Sequence, residues 1–193
     1  MATVTEKNEL REKLAQYEGS VDHMYLDTKG FVTIGIGHFL KDVSAAQKIS
    51  FIHQEASEKA TADEIKTDFE NVKKQAKGLF ASLYKKYTKL KITKSTIDTL
   101  TDKHIDTFES ELERVYGSAK FSAYPSEVRL ALFDMIFNLG MTNLRTKFPA
   151  FNKHIKANNW SDAAKESKRR DVGAERNQYV KDLLEKAAKA KKP

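Results

Sequence analysis

The 193-residue chain has no cysteine. That excludes disulfides, thiolate nucleophiles and thiolate metal ligands, and the fold needs no oxidising compartment. Its five histidines, His23, His38, His53, His104 and His154, show no paired ligand spacing, and there is no HExxH pattern, so no metal is expected. Walker loops, dinucleotide fingerprints and GxSxG elbows are missing too, which removes the common nucleotide, dinucleotide and serine-hydrolase chemistries and leaves no cofactor implied. No run approaches the roughly 20 apolar residues of a membrane-spanning helix. The first residues, MATVTEKNELREK, lack the apolar centre of a secretory signal, so no signal peptide is read in this chain. Internal repeats and low-complexity linkers are not found.

What is present fits one compact unit: 193 residues suffice to bury a sizeable core. The formal charge is +7, and residues 148–193 hold twelve Lys or Arg against six Asp or Glu. Such a surface attracts polyanions in a salt-dependent way. A solvated helix face at Lys165, Lys168, Arg169 and Arg170, with a frayed AAKAKKP end, is the plainer reading.

The most informative stretch is EGSVDHMYLDTKGFVTIGIGH, Glu18 to His38. Before it, Leu10, Leu14 and Tyr17 recur at helical spacing, so Asn8–Tyr17 predicts an amphipathic helix closed by Glu18 and capped by Gly19. A carboxylate there faces the negative end of the helix dipole, which disfavours the ionised form and suits a proton donor. Phe31–His38 alternates as a half-buried strand, with Val32, Ile34 and Ile36 inward and Thr33, Gly35 and Gly37 on a face that a ligand can approach closely. Thr28-Lys29-Gly30 predicts a hairpin turn that brings Asp27 near Thr33. Two carboxyl groups across a cleft are what glycosidic cleavage needs: an acid on the leaving oxygen and an anion that orients water or attacks. The alternative is an ordinary surface glutamate, a turn-forming aspartate and a strand threonine.

The order EG, YxD, GxxTIGIGH resembles the active-site signature of the phage-type lysozymes, muramidases that degrade peptidoglycan. A second stretch, EVRLALFDMIFNLG at Glu127–Gly140, is similar to that family's central helix, and Phe148–Arg176 to its C-terminal helices. The resemblance implies Glu18 as the acid, with Asp27 and Thr33 holding the water for an inverting attack. It further implies that Phe137 and Asn138 line a sugar-binding cleft and that Arg176 approaches Glu18. Lys41–Ile97 is longer than the family's usual connection, so an enlarged upper lobe is expected.

Helical periodicity is read over Ser44–Lys59 and over Ala62–Thr88, the latter opened by a capping box at Thr61 and interrupted or bent at Gly78. Tyr84–Lys91 interleaves aromatics with lysines, and is read as a snorkelling surface over a small core. Ser95–Tyr116 predicts a helix with Thr101 as an internal cap and Gly117 as its end. A buried central helix then runs from Pro125 to Leu139, with Gly140 after it. Asp134 and Asn138 share one face of it, either looking into the cleft or forming a satisfied buried pair. Helices follow at Lys147–Ala157, at Trp160–Arg170 with Ser161 capping, and at Glu175–Ala190. Trp160 is read as a core anchor rather than a sugar platform, and His38 as a structural residue beside the site.

The expectation is an α+β, mostly helical, lysozyme-like fold in a single catalytic domain over 1–193. The N-terminal helix and hairpin occupy 8–40, a small antiparallel sheet lies within 22–39, the enlarged segment is 41–97, and the helical lobe is 98–190. The cleft is expected between the two lobes. The implied partner is bacterial peptidoglycan, cleaved at the β-1,4 bond between N-acetylmuramic acid and N-acetylglucosamine. A monomer acting in the periplasm or cell wall after delivery, an immunity or inhibitor protein, and no specific nucleic acid complete the reading. A lytic transglycosylase and a non-catalytic peptidoglycan- or polyanion-binding module are the alternatives. An endolysin, a bacterial effector and a bacteriocin domain are all compatible with it.

Overall fold

A computed structural model describes residues 1–190 of the chain. It is mostly helical with a small antiparallel sheet, an α+β lysozyme-like architecture. The residues cluster into two compact units, Arg11–Lys103 and Met1–Leu10 with the chain from His104.

The Arg11–Lys103 unit begins within helix α1 (Val4–Glu18), which Gly19 ends in a left-handed conformation (φ +78°), its N–H donating to the Ala15 carbonyl. Strands β1 (Val21–Leu26), β2 (Val32–Gly35) and β3 (His38–Phe39) form a sheet in that order, antiparallel throughout. The single strand expected over Phe31–His38 is therefore two strands, because Gly35 and Gly37 both adopt positive φ (+65° and +67°) and fold the chain back, pairing Ile34 with His38. Helix α2 (Val43–Gln47) is one short piece capped by Asp42. The chain then extends into β4 (Ile52–His53), so the helix expected over Ser44–Lys59 does not form.

Helix α3 (Ala62–Lys73) opens on the expected capping box, in which Thr61 and Glu64 exchange side-chain to backbone bonds. It stops at Lys73 instead of running to Thr88. Gly78 takes a left-handed φ of +84°, and Asp68 accepts the backbone N–H groups of Lys89 and Leu90, drawing the returning chain onto α3. Between them lies a 3-10 helix, Ala81–Tyr87, followed by β5 (Leu90–Lys91), which pairs with β4. Tyr84 is fully buried and its hydroxyl donates to the Ala76 carbonyl, so the YKKY segment does cover a small core. Leu14, Met24, Ile34, Phe51, Val72 and Leu90 are among the buried residues of this unit.

The other unit is built on α6 (Ser126–Lys147), whose residues Leu130–Ile136 are all buried. Pro125 immediately precedes it. Gly140 (φ +71°) kinks the helix without ending it, and the chain resumes to Lys147. Helix α4 (Lys94–Tyr116) begins in the Arg11–Lys103 unit and continues into this one from His104. It runs unbroken past Thr101, whose hydroxyl donates to the Ile97 carbonyl; Thr93 accepts from the Thr96 N–H at its start, and Gly117 ends it. A short α5 (Ser118–Ser122) leads to α6. Helices α7 (Pro149–Lys156) and α9 (Ala174–Ala190) pack on α6, and α8 (Trp160–Lys165) packs on α7 and α9. Asn159, not Ser161, caps α8 by accepting the Asp162 N–H. That helix ends at Lys165, short of the expected Arg170. Trp160 is buried and edge-to-face with Tyr124 at 5.3 Å, the anchor expected of it.

Candidate active site

In the Arg11–Lys103 unit, Glu18 is the exposed last residue of α1, and two residues beyond Gly19 the chain enters β1. The β1–β2 register pairs Tyr25 with Thr33 and Leu26 with Val32. Strand alternation then puts Tyr25, Asp27, Phe31 and Thr33 on one face and Leu26, Val32 and Ile34 on the other, which is the buried apolar side. Phe39, opposite Thr33 on β3, joins the first face, and its ring meets that of Phe31 edge-on at 5.0 Å.

Asp27 organises the turn. Its N–H donates to the Phe31 carbonyl at 3.0 Å, and its Oδ1 accepts the N–H groups of Lys29 (2.9 Å) and Phe31 (2.8 Å). Among the described residues, Oδ2 has no such partner. Gly30 (φ +86°) completes the turn, and the Lys73 ammonium at the end of α3 donates to its carbonyl at 3.1 Å. Thr33 is buried at 3 % exposure, and its hydroxyl donates to the Phe31 carbonyl at 3.1 Å. With its proton committed there, Oγ1 has lone pairs left for a water.

Tyr25 ties the three expected residues together. Its phenol is pushed up in pKa by burial first, and then by the negative charges of Asp27 and Glu18. Both carboxylates therefore lie within electrostatic reach of one hydroxyl, directly across the strand pair from Thr33. In the sequence, the sign of Tyr25 is its place two residues before Asp27 on the incoming strand, which puts both on one face.

The remaining site candidates divide between the units. Gly35 is buried on β2 and Gly37 is exposed in the turn after it. Both are required by their positive φ, and because the strand ends between them, they do not continue one open face with Thr33. His38 is partly buried at the start of β3.

Phe137, Asn138 and Arg176 belong to the unit that starts at His104. Phe137 is half-buried and edge-to-face with Phe108 at 5.5 Å. Asn138 is exposed on the rim of a cavity of about 710 Å³ shared with Lys147, Lys168 and Arg170. It forms no buried pair with Asp134, which turns inward instead. Asp134 binds Arg169 at 2.7 Å and Arg176 at 2.9 Å, all three being buried. Arg169 is thus not part of a solvated face. Its Nη1 also donates to the Asp134 carbonyl, and its backbone is bridged by Asn177. A lone aspartate on an otherwise apolar helix demands a cation, and that was the legible sign of this cluster.

Residues 15–85 match the family model described as phage lysozyme. The chain is also 25% identical, over 163 residues, to "Probable T4-type lysozyme 1" of Dictyostelium discoideum, an alignment covering 82% of this chain and 81% of that protein. The matched family segment contains Glu18, Asp27 and Thr33.

Proposed function

Through that segment the chain belongs to the phage-type lysozyme family, and on this premise we propose that it is a muramidase-type peptidoglycan hydrolase with Glu18, Asp27 and Thr33 as its catalytic residues. What supports the proposal is the hairpin register that sets Thr33 opposite Tyr25, two residues before Asp27, together with the electrostatic influence of both carboxylates on the Tyr25 phenol.

In the proposed reaction Glu18, protonated, donates to the glycosidic oxygen as the bond to the muramic acid anomeric carbon breaks. A water that gives its hydrogens to Asp27 Oδ2 and Thr33 Oγ1 presents its lone pair to that carbon from the opposite face. Bond formation releases the water's proton to Asp27, and the anomeric configuration inverts. The assignment uses Asp27 twice: Oδ1 holds the turn and Oδ2 polarises water. No cofactor takes part. The scissile bond is the β-1,4 link between N-acetylmuramic acid and N-acetylglucosamine, and the chain works as a single lysozyme-like catalytic domain on the bacterial wall or from the periplasm. Gly37, exposed in the turn after β2, is proposed to contact the glycan, and His38 to support the hairpin; Gly35 is buried and Arg176 is committed to Asp134, so neither is assigned a glycan contact. Lysis by a monomeric effector or bacteriocin domain, restrained by an immunity protein, is the biological setting this reading favours over an endolysin.

Turbidity clearance of purified peptidoglycan, followed by mass spectrometry of the products, tests it. Wild-type protein should release fragments with reducing ends that have gained one water. Glu18→Gln should fold normally and lose at least about 10²-fold in rate, the lower end of what a positioned acid contributes. Anhydro-sugar products would identify a lytic transglycosylase, and undiminished clearance by Glu18→Gln would remove the acid assignment.

A further inference from the structure

Away from the hairpin, within the unit that starts at His104, a concavity of about 640 Å³ is lined by Arg114, Arg145, Lys153 and Lys156, with Val115, Pro149 and Asn152 completing it. Its walls hold four cations and no acid. Among the described residues none of the four has a carboxylate partner, and all four are exposed. Each sits in or near the last turn of its helix: Arg114 on α4, Arg145 on α6, Lys153 and Lys156 on α7. The helix dipole accounts for each cation singly. It does not account for their convergence, since three C-terminal ends carry roughly −0.5 charge each against four full positive charges.

The walls are fixed in place by a buried chain of hydrogen bonds. Asn152 of α7 accepts the Tyr116 hydroxyl of α4 at 2.5 Å and donates to the Leu144 carbonyl of α6 at 2.6 Å. All three cation-bearing helices are thereby stapled beneath the concavity, so little ordering remains to be done when an anion arrives.

We propose that this concavity is a binding site for a linear polyol-phosphate chain of the kind attached to bacterial walls, distinct in its residues from the proposed catalytic group. Two arginines supply forked donors that match phosphate oxygens, and two lysines add point charges along the same wall. The volume exceeds what one carboxylate would fill and suits successive phosphodiesters. No aromatic ring lines it, so it lacks the stacking platform on which single-stranded nucleic acids depend. The choice of a wall polymer rests on the proposed function, whereas the anion site itself does not.

The test measures binding of a labelled glycerol-phosphate oligomer of about six units to the full chain by fluorescence anisotropy at several salt concentrations. The triple variant Arg145→Gln, Lys153→Gln, Lys156→Gln should bind at least about tenfold more weakly, with a log–log salt slope shallower by about two to three. A control with equal charge loss, Lys41→Gln, Lys48→Gln, Lys59→Gln, should stay within about twofold of wild type. The pocket variant should also cleave polymer-free peptidoglycan at the wild-type rate. Equal weakening by the control would overturn the site in favour of diffuse charge. An oligonucleotide of about six residues, bound as tightly and lost equally in the pocket variant, would overturn the polyol-phosphate assignment. If wild-type protein binds the oligomer yet cleaves no peptidoglycan, the muramidase reading fails and the anion site stands.

Discussion

Asp27 shows how one side chain can satisfy a structural and a chemical description at once. Read locally, it is a turn former whose Oδ1 collects two backbone N–H groups; in the proposed reaction it is the anion that orients water through Oδ2. Asn in its place retains an amide oxygen able to accept the same two bonds. Asp27→Asn should therefore keep its melting temperature within a few degrees while losing about 10²-fold or more in peptidoglycan hydrolysis. Equal losses of stability and activity would leave only the structural role. Asp134 is the opposite case, since its carboxylate is committed to two buried guanidiniums. Removing it in Asp134→Ala strands both charges in the interior, a change expected to cost about 3–5 kcal/mol in urea unfolding.

Among the elements, those specified by local chemistry were legible: the Glu18–Gly19 helix end, the Asp27–Gly30 turn, the Thr61–Glu64 capping box and the apolar α6. Elements decided by distant partners were not. Residues 62–88 keep an apolar recurrence at three- and four-residue steps, yet the chain leaves the helix because Asp68 binds the backbone of Lys89 and Leu90, contacts far along the sequence. Similarly, Thr3 and Glu6 form a capping box at the start of α1, but TVTE precedes no conspicuous apolar run, so the sequence does not mark it as a helix start. Of the candidate site, the carboxylates and threonine could be read from the hairpin motif, whereas the inward turn of Asp134 depended on Arg169 and Arg176, 35 and 42 residues away. Gly78 separates the two descriptions of the middle segment by sign. In a continuous helix Gly78→Ala would add roughly 0.5–1 kcal/mol; with the observed φ of +84° it should instead lose about 1–2 kcal/mol. Chemical denaturation of the single variant distinguishes them.

Over the whole molecule, the two units carry buried carboxylates that respond to acid with opposite sign. Asp68, in the Arg11–Lys103 unit, is raised above its ordinary range because burial outweighs the N–H bonds from Lys89 and Leu90. Its contribution is fully present below the ordinary aspartate value and is lost as pH rises through the folded one. Glu6, in the other unit, is also pushed up by burial, but the Thr3 N–H, the Ser126 hydroxyl and the Arg129 guanidinium together overcome that and hold it below its ordinary range. Its stabilisation is therefore complete above the ordinary glutamate value near 4.5 and disappears as pH falls through the lowered one. Glu6 joins the start of α1 to the start of α6 through bonds of 2.6–2.8 Å to Ser126 and Arg129, so acid should act there first. Hydrogen exchange between pH 6 and pH 3 should show α1 and the first turn of α6 losing protection before the segment around Asp68. In Glu6→Gln that region should already be less protected at neutral pH and should change less on acidification, because the neutral amide has no proton to gain. A variant with the same acid response as wild type would assign the transition to other carboxylates.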